Sequence, residues 1–168
     1  GEAGATAARS GETLYENNGL RLWRLPAVDA GIGIISFKSK AHAIGGEVLA
    51  GMMAAIARAE AELSGLVIWH EPPFAVGANL AEVADACAAG DPERLDATVA
   101  AFQQATMAVK YARVPVVAAV QGMALGGGCE FAMHSAKRVL ALGSYAGLVE
   151  AGVGLIPAGG GCKECALQ

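Results

Sequence analysis

The 168-residue sequence predicts an α/β fold, and three observations carry that reading. Short β-branched, apolar runs such as Leu66-Val-Ile-Trp69 and Val116-Val-Ala-Ala-Val120 have the length and composition of buried strands. Between them lie longer stretches whose apolar residues recur at helical spacing. The two kinds of segment alternate along the chain, as layered α/β folds require.

The elements follow in order. Residues 1–11 are small, polar and aperiodic, and are expected to form a linker or the join to an upstream domain, which leaves 12–168 as the core. Runs at 20–25 and 33–37 suit a hairpin with its turn within 26–31. Gly45-Gly-Glu47 opens a helix whose stripe is Val48, Leu49, Met52, Met53, Ile56 and Leu63. A strand at 66–69 comes next. Asp91-Pro92-Glu93 is a strong helix start, with aspartate as N-cap and proline in the first turn. Leu95, Val99, Phe102, Thr106 and Val109 continue its stripe until Val114-Pro115 ends it. Strands at 116–120 and 138–142 follow, with a helical stretch at 129–136 between them. This strand–strand–helix order, repeated, is what a spiral of ββα units needs.

Composition narrows the function. The chain is long enough for one domain with a real core. It is 54% hydrophobic but only 5% aromatic, so the core is built from small side chains. The apolar surplus points to an interface with other subunits or with further polypeptide. A net charge of −4, with 12 scattered Lys and Arg, argues against a nucleic-acid surface. No apolar run approaches the roughly 20 residues that span a bilayer, and the start has no signal or transit pattern, so a cytoplasmic location is expected.

Cys162-Lys-Glu-Cys165 has the spacing of half a zinc site or of a redox pair. No second close pair exists, and none of His42, His70 and His134 stands at ligand spacing from it, so ordinary thiols and no metal are expected. Cys129 is expected to pack rather than to attack, since no histidine near it in sequence activates it. Gly126-Gly-Gly128 lacks the third glycine of a dinucleotide-binding loop, so no nicotinamide site is expected within the chain.

The chemistry concentrates in Val116-Val-Ala-Ala-Val-Gln-Gly-Met-Ala-Leu-Gly-Gly-Gly-Cys-Glu130. An apolar strand breaks into three glycines and restarts as a helix, which leaves unpaired amide N–H groups at a partly positive helix start. Such a place suits a developing oxyanion, and Glu130 lies one turn in. Twenty residues on, Glu150 is flanked by Leu148, Val149, Val153, Leu155 and Ile156 and is expected to be shielded from water, a setting suited to proton transfer. A surface glutamate capping a loop is the alternative. Two carboxylates in unequal surroundings can supply an acid and a base. Pro73-Phe-Ala-Val-Gly-Ala-Asn-Leu80, just past a strand, can turn another free N–H toward a pocket.

Together these segments resemble the crotonase (enoyl-CoA hydratase/isomerase) superfamily, from about Leu20 to the end of the chain. The resemblance implies a crotonase-like spiral, oxyanion-hole amides at Ala78 and Gly127, and catalytic glutamates at Glu130 and Glu150. It places a coenzyme A thioester over Lys40, Ala41 and His42 and against the loop holding Val76 and Gly77, with Gly126 beside it. Lys40 is the natural phosphate partner, and a solvated strand-end lysine is the alternative. Leu14-Tyr-Glu-Asn, Gly65-Leu-Val-Ile-Trp69 and Cys162-Lys-Glu164 are similar to the crotonase portion of large bacterial 3-hydroxyacyl-CoA dehydrogenases. On that likeness the chain hydrates trans-2-enoyl-CoA in fatty-acid β-oxidation, and NAD binds only to a dehydrogenase portion outside it. Δ3–Δ2 isomerisation, or acyl-CoA binding without turnover, are the alternatives. The family also implies a trimer-type oligomer and C-terminal helices beyond Gln168. Asn79 stands where many members have Asp, which bears on loop packing or on a coenzyme A contact.

Overall fold

The computed structural model describes residues 11–167. One six-stranded sheet has the order β1 (Glu12–Glu16), β2 (Leu20–Leu25), β3 (Asp29–Phe37), β4 (Gly65–Ile68), β5 (Val116–Val120), β7 (Lys137–Leu140). The first three strands are antiparallel, and from β3 onward neighbours run parallel. A separate parallel pair joins β6 (Met123–Leu125) to β8 (Tyr145–Gly147). The helices are α1 (Gly46–Glu62), α2 (Leu80–Ala88), α3 (Pro92–Tyr111), α4 (Gly127–His134) and α5 (Gly161–Leu167), with 3-10 turns at Lys40–His42 and Glu150–Val153. The alternation expected of an α/β chain is present.

The core lies between the sheet and α1, α3 and α4. Leu20, Leu22, Ile35, Leu66, Ile68, Val116 and Ala118 face it from the strands. On α1 the buried stripe is Val48, Leu49, Met52, Ala55, Ile56 and Ala59, whereas Met53 is 43% exposed. The sequence stripe therefore overcounted one methionine and missed two alanines, whose small size lets the helix lie close. On α3 the face is Phe102, Ala105, Thr106 and Val109, and Val99 turns outward. Asp91 caps that helix as expected, accepting from the Arg94 N–H at 2.9 Å, with Pro92 in the first turn.

Other boundaries differ from expectation. β3 starts at Asp29, so the hairpin turn is confined to residues 26–28. The last strand of the large sheet runs 137–140, and Leu142 lies beyond it, fully exposed. The glycines join α4, which starts at Gly127 and stops at His134. β1 gave no signal because its exposed positions are charged: Glu12 pairs with Arg24 at 2.9 Å across the ladder. The linker expected at 1–11 lies outside the described residues except Gly11, whose carbonyl accepts from Arg21 at 2.8 Å. No described helix is long and apolar enough to cross a membrane. Val139, Tyr145, Val153 and Ile156 are exposed along one late stretch of chain.

The corrected face of α1 is testable. Met52→Ala should cost about 2–5 kcal/mol in a denaturant titration, and Met53→Ala should stay within about 0.5 kcal/mol of the parent.

Candidate active site

Two backbone hydrogen bonds bring the glycine-rich turn and the Phe74–Asn79 loop together. The Ala75 N–H donates to Met123 O and the Leu125 N–H donates to Ala75 O, both at 2.9 Å. Just beyond, Gly77 adopts φ +105°, and a methyl built on it would stand 3.7 Å from Gly127 N. A second bridge ties the loop to Ile44, through Ile44 N–H to Gly77 O at 2.8 Å and Asn79 N–H to Ile44 O at 2.9 Å. That bridge uses the atoms on either side of Ala78, so the Ala78 N–H points away from Ile44. Among the described residues it meets no acceptor.

Gly127 N–H belongs to the first turn of α4, where amides lack an intrahelical acceptor. The three glycines serve different ends. Gly126 takes φ +50°, which side chains avoid. A Cβ on Gly127 would run into the Phe102 ring, and one on Gly128 would come within 2.6 Å of the Ala75 Cβ. The Ala78 and Gly127 amides named from sequence thus come together on adjoining backbone segments.

Both glutamates border the same turn, in different settings. Glu130 is 2% exposed on α4, and its Oε1 accepts from the Gly161 N–H at 2.8 Å. Burial pushes its carboxyl above the usual range, the Gly161 amide opposes this, the Glu150 charge adds to it, and the Gly159 amide opposes it again. Glu150 opens a 3-10 turn, with Oε1 3.0 Å from where a Gly126 Cβ would be. Its Oε2 is buried and makes no hydrogen bond within the described residues. The shielding expected of Glu150 reaches its Oε2 atom, but of the five flanking apolar residues only Leu148 is half-buried. Val149, Val153, Leu155 and Ile156, in and beside that short turn, are exposed. The deeply buried carboxylate is Glu130.

The residues assigned to coenzyme A are more scattered. Lys40 and Ala41 are exposed, and Ala41 and His42 have positive φ. The His42 Nδ1 bonds Pro73 O at 2.6 Å and its ring lies 3.9 Å from that of His70. Val76 is half-buried and Gly77 buried. Lys40 borders a cavity of about 350 Å³ with Ser39, Asn18 and Asn79. A cavity of about 240 Å³ reaches Ala78 and is walled by Ile44, Leu49, Ala101 and Phe102. Glu130 and Glu150 line neither cavity.

Sequence reasoning missed His70, which no motif marks. Its Nδ1 accepts from the Phe37 N–H at 3.3 Å, so Nε2 carries the proton and donates to Phe74 O. Burial and the neighbouring His42 hold its pKa down at about 4, keeping it neutral and fixed under the loop. Asn79 caps α2 through Oδ1, and its Nδ2 donates to Glu82 Oε1 at 2.7 Å. Glu82 in turn accepts from the Gly46 N–H at 3.2 Å. An amide at 79 can donate to Glu82 where an ionised aspartate would repel it, a physical reason for asparagine at this position. Cys129 is buried and its thiol is pushed up to about 11, chiefly by desolvation. Cys162 and Cys165 are exposed, and no cluster able to hold a metal occurs among the described residues.

Residues 27–166 match the family described as enoyl-CoA hydratase/isomerase. The chain is 40% identical over 134 residues to the "Probable 3-hydroxyacyl-CoA dehydrogenase" of Bacillus subtilis (strain 168), covering 79% of this chain and 17% of that protein. Its fold is similar to that of DspI of Pseudomonas aeruginosa, with TM-score 0.80, 26% identity, and 90% and 61% of the two chains covered. An enoyl-CoA hydratase from Polaromonas sp. JS666 gives TM-score 0.77 at 25% identity, covering 94% and 58%. The chain thus spans less than two thirds of each of these relatives.

Two outcomes follow from the site's electrostatics. Because folding raises the Glu130 pKa, the stability tied to its protonated form is full at acid pH and lost as pH rises through the raised value. Glu130→Gln should therefore raise the melting temperature at neutral pH, by about 2–4 °C per kcal/mol recovered, and the gain should vanish in acid. Asn79→Asp should replace the donor to Glu82 with a second carboxylate and lower stability by roughly 1–2 kcal/mol, least at acid pH, as read by denaturant titration.

Proposed function

The chain belongs to the enoyl-CoA hydratase/isomerase family, and on that premise we propose that it adds water across the trans-2 double bond of an enoyl-CoA thioester. The observation that carries the reading is the meeting of two free amides, Ala78 and Gly127, with two carboxylates around one glycine turn. Attack of water at C3 drives negative charge onto the thioester oxygen. The two amides are suited to receive it, and loss of one such donor typically costs about 10²–10³ in rate. Glu130 and Glu150 hold and activate the water, and one returns a proton to C2. Each positioned acid or base contributes roughly 10²–10⁴. The apolar cavity that reaches Ala78 is suited to an acyl chain. Lys40 at the rim of the second cavity is the cation for a coenzyme A phosphate.

The wider setting belongs to the same proposal. The Bacillus relative is named a dehydrogenase, and this chain covers 17% of it. The Rickettsia felis relative, 36% identical over 111 residues, is named a "Putative fatty acid oxidation complex trifunctional enzyme". Both support placing this chemistry in a multifunctional fatty-acid oxidation polypeptide whose NAD-dependent step lies elsewhere. The exposed apolar stretch from Val139 to Ile156 is suited to burial against further chain or another subunit.

One observation favours a second reading. Glu130 is tied to the Gly161 amide while Glu150 Oε2 has no partner, so a single free carboxylate could shuttle a proton in Δ3–Δ2 isomerisation. Loss of conjugated-enoyl absorbance from crotonyl-CoA separates the two. Hydration is expected, with Glu130→Gln and Glu150→Gln each slower by about 10²-fold or more. Gain of that absorbance from a 3-enoyl-CoA, impaired by Glu150→Gln alone, would replace hydration with isomerisation. Saturable binding with neither reaction would leave a binding fragment.

A further inference from the structure

Gln103, Thr106 and Lys110 follow one another at spacings of three and four along α3 and so share one side of the helix. All three reach the segment after Pro157. Gln103 Nε2 donates to Ala158 O at 2.8 Å, and Thr106 Oγ1 donates to Gly159 O at 2.8 Å. Lys110 Nζ donates to both oxygens of Glu164, at 2.6 and 2.8 Å. Thr106 is fully buried and Glu164 is 3% exposed. The Glu164 N–H closes back on Gly160 O at 3.0 Å, so the ion pair grips the turn itself. On its far side that turn presents the Gly161 N–H to the Glu130 carboxylate.

We propose that Thr106, Lys110 and Glu164 are positioning residues: they clamp the 159–161 turn so that its amides face Glu130, and thereby set the protonation state of that carboxylate. The proposal rests on the reading of Glu130 as the reaction's acid or base. The groups that face the Glu130 carboxylate are the Gly159 and Gly161 amides, the Glu150 carboxylate and the apolar Phe102 ring packed beside the turn. Cys129 adjoins it on α4, and His134 on the same helix bonds the Glu130 backbone carbonyl. Glu164 itself faces Lys110, Lys163 at 3.1 Å and His134 Nε2 at 3.6 Å. Burial and Glu150 push Glu130 toward its neutral form, and the turn amides alone hold it back. A turn set loose withdraws those amides and leaves the opposing influences in place.

The test reads Glu130 directly, by carbon-13 NMR titration of its carboxyl in the parent chain and in Thr106→Val, Glu164→Gln, Lys110→Met and Lys110→Arg. Thr106→Val keeps shape and charge, so it guards against loss of fold. The Glu130 midpoint is expected to rise in the first three variants and to stay near the parent in Lys110→Arg, which can still engage both oxygens. The acid limb of the kcat/KM pH profile for crotonyl-CoA should move to higher pH with it, with kcat roughly tenfold lower at neutral pH and KM little changed. An unchanged Glu130 titration in folded Thr106→Val and Glu164→Gln overturns the clamp. A shifted titration in the variants, when the parent hydrates no enoyl-CoA, upholds the clamp and overturns the hydratase reading instead.

Discussion

Everything at the site depends on one short backbone register. Ala75 exchanges hydrogen bonds with Met123 and Leu125, and this sets the loop after β4 beside the turn before α4. Ala78 follows on one side and Gly127 on the other, so a one-residue slip would turn an amide away from the other. The register is protected by fit. Ala75 is fully buried, and only a glycine at 128 clears its methyl group. Gly127 is held to the same rule by Phe102. His70 fixes the loop from beneath through Phe74 O, and Ile44 fixes it from the side.

The buried acids are treated in opposite ways. Glu164 has Lys110 and Lys163 against it, and its carboxyl lies below the usual range, chiefly because of the Lys110 hydrogen bond. Glu130, 31 residues from Gly161 in sequence, has only amide dipoles to offset its burial. One carboxylate is held in its charged form by lysines, and the other is pushed toward its neutral form by burial. Neighbours, not residue type, make that difference.

Much of this was legible in the chain. The strand-to-glycine-to-helix break at 116–130 and the proline-capped α3 are local signals, set by propensity and backbone freedom. The pairing of Ala78 with Gly127 was legible only through resemblance, because nothing local joins residues so far apart. Flanking sequence misled at Glu150. Apolar neighbours in sequence shield a side chain only if the segment turns them inward, and here Val149, Val153, Leu155 and Ile156 stay exposed. His70 and Glu164 were invisible because their partners are brought in by tertiary packing: Phe37 and Phe74 for one, Lys110 for the other. Met53 failed for a simpler reason, since a helical stripe has edges and composition does not say where they fall.

The order of strands in the large sheet has a consequence for how the molecule is made. Each strand lies beside the one formed before it, with only β6 and its partner set apart. A chain emerging from the ribosome can extend this sheet one strand at a time, without waiting for distant sequence. The candidate site has no such privilege, since it draws on Ala78, Gly127, Glu150 and Gly161. A nascent chain therefore holds a nearly finished scaffold before its candidate site is assembled. Defects in the late segment would yield protein that has its sheet but an incomplete site.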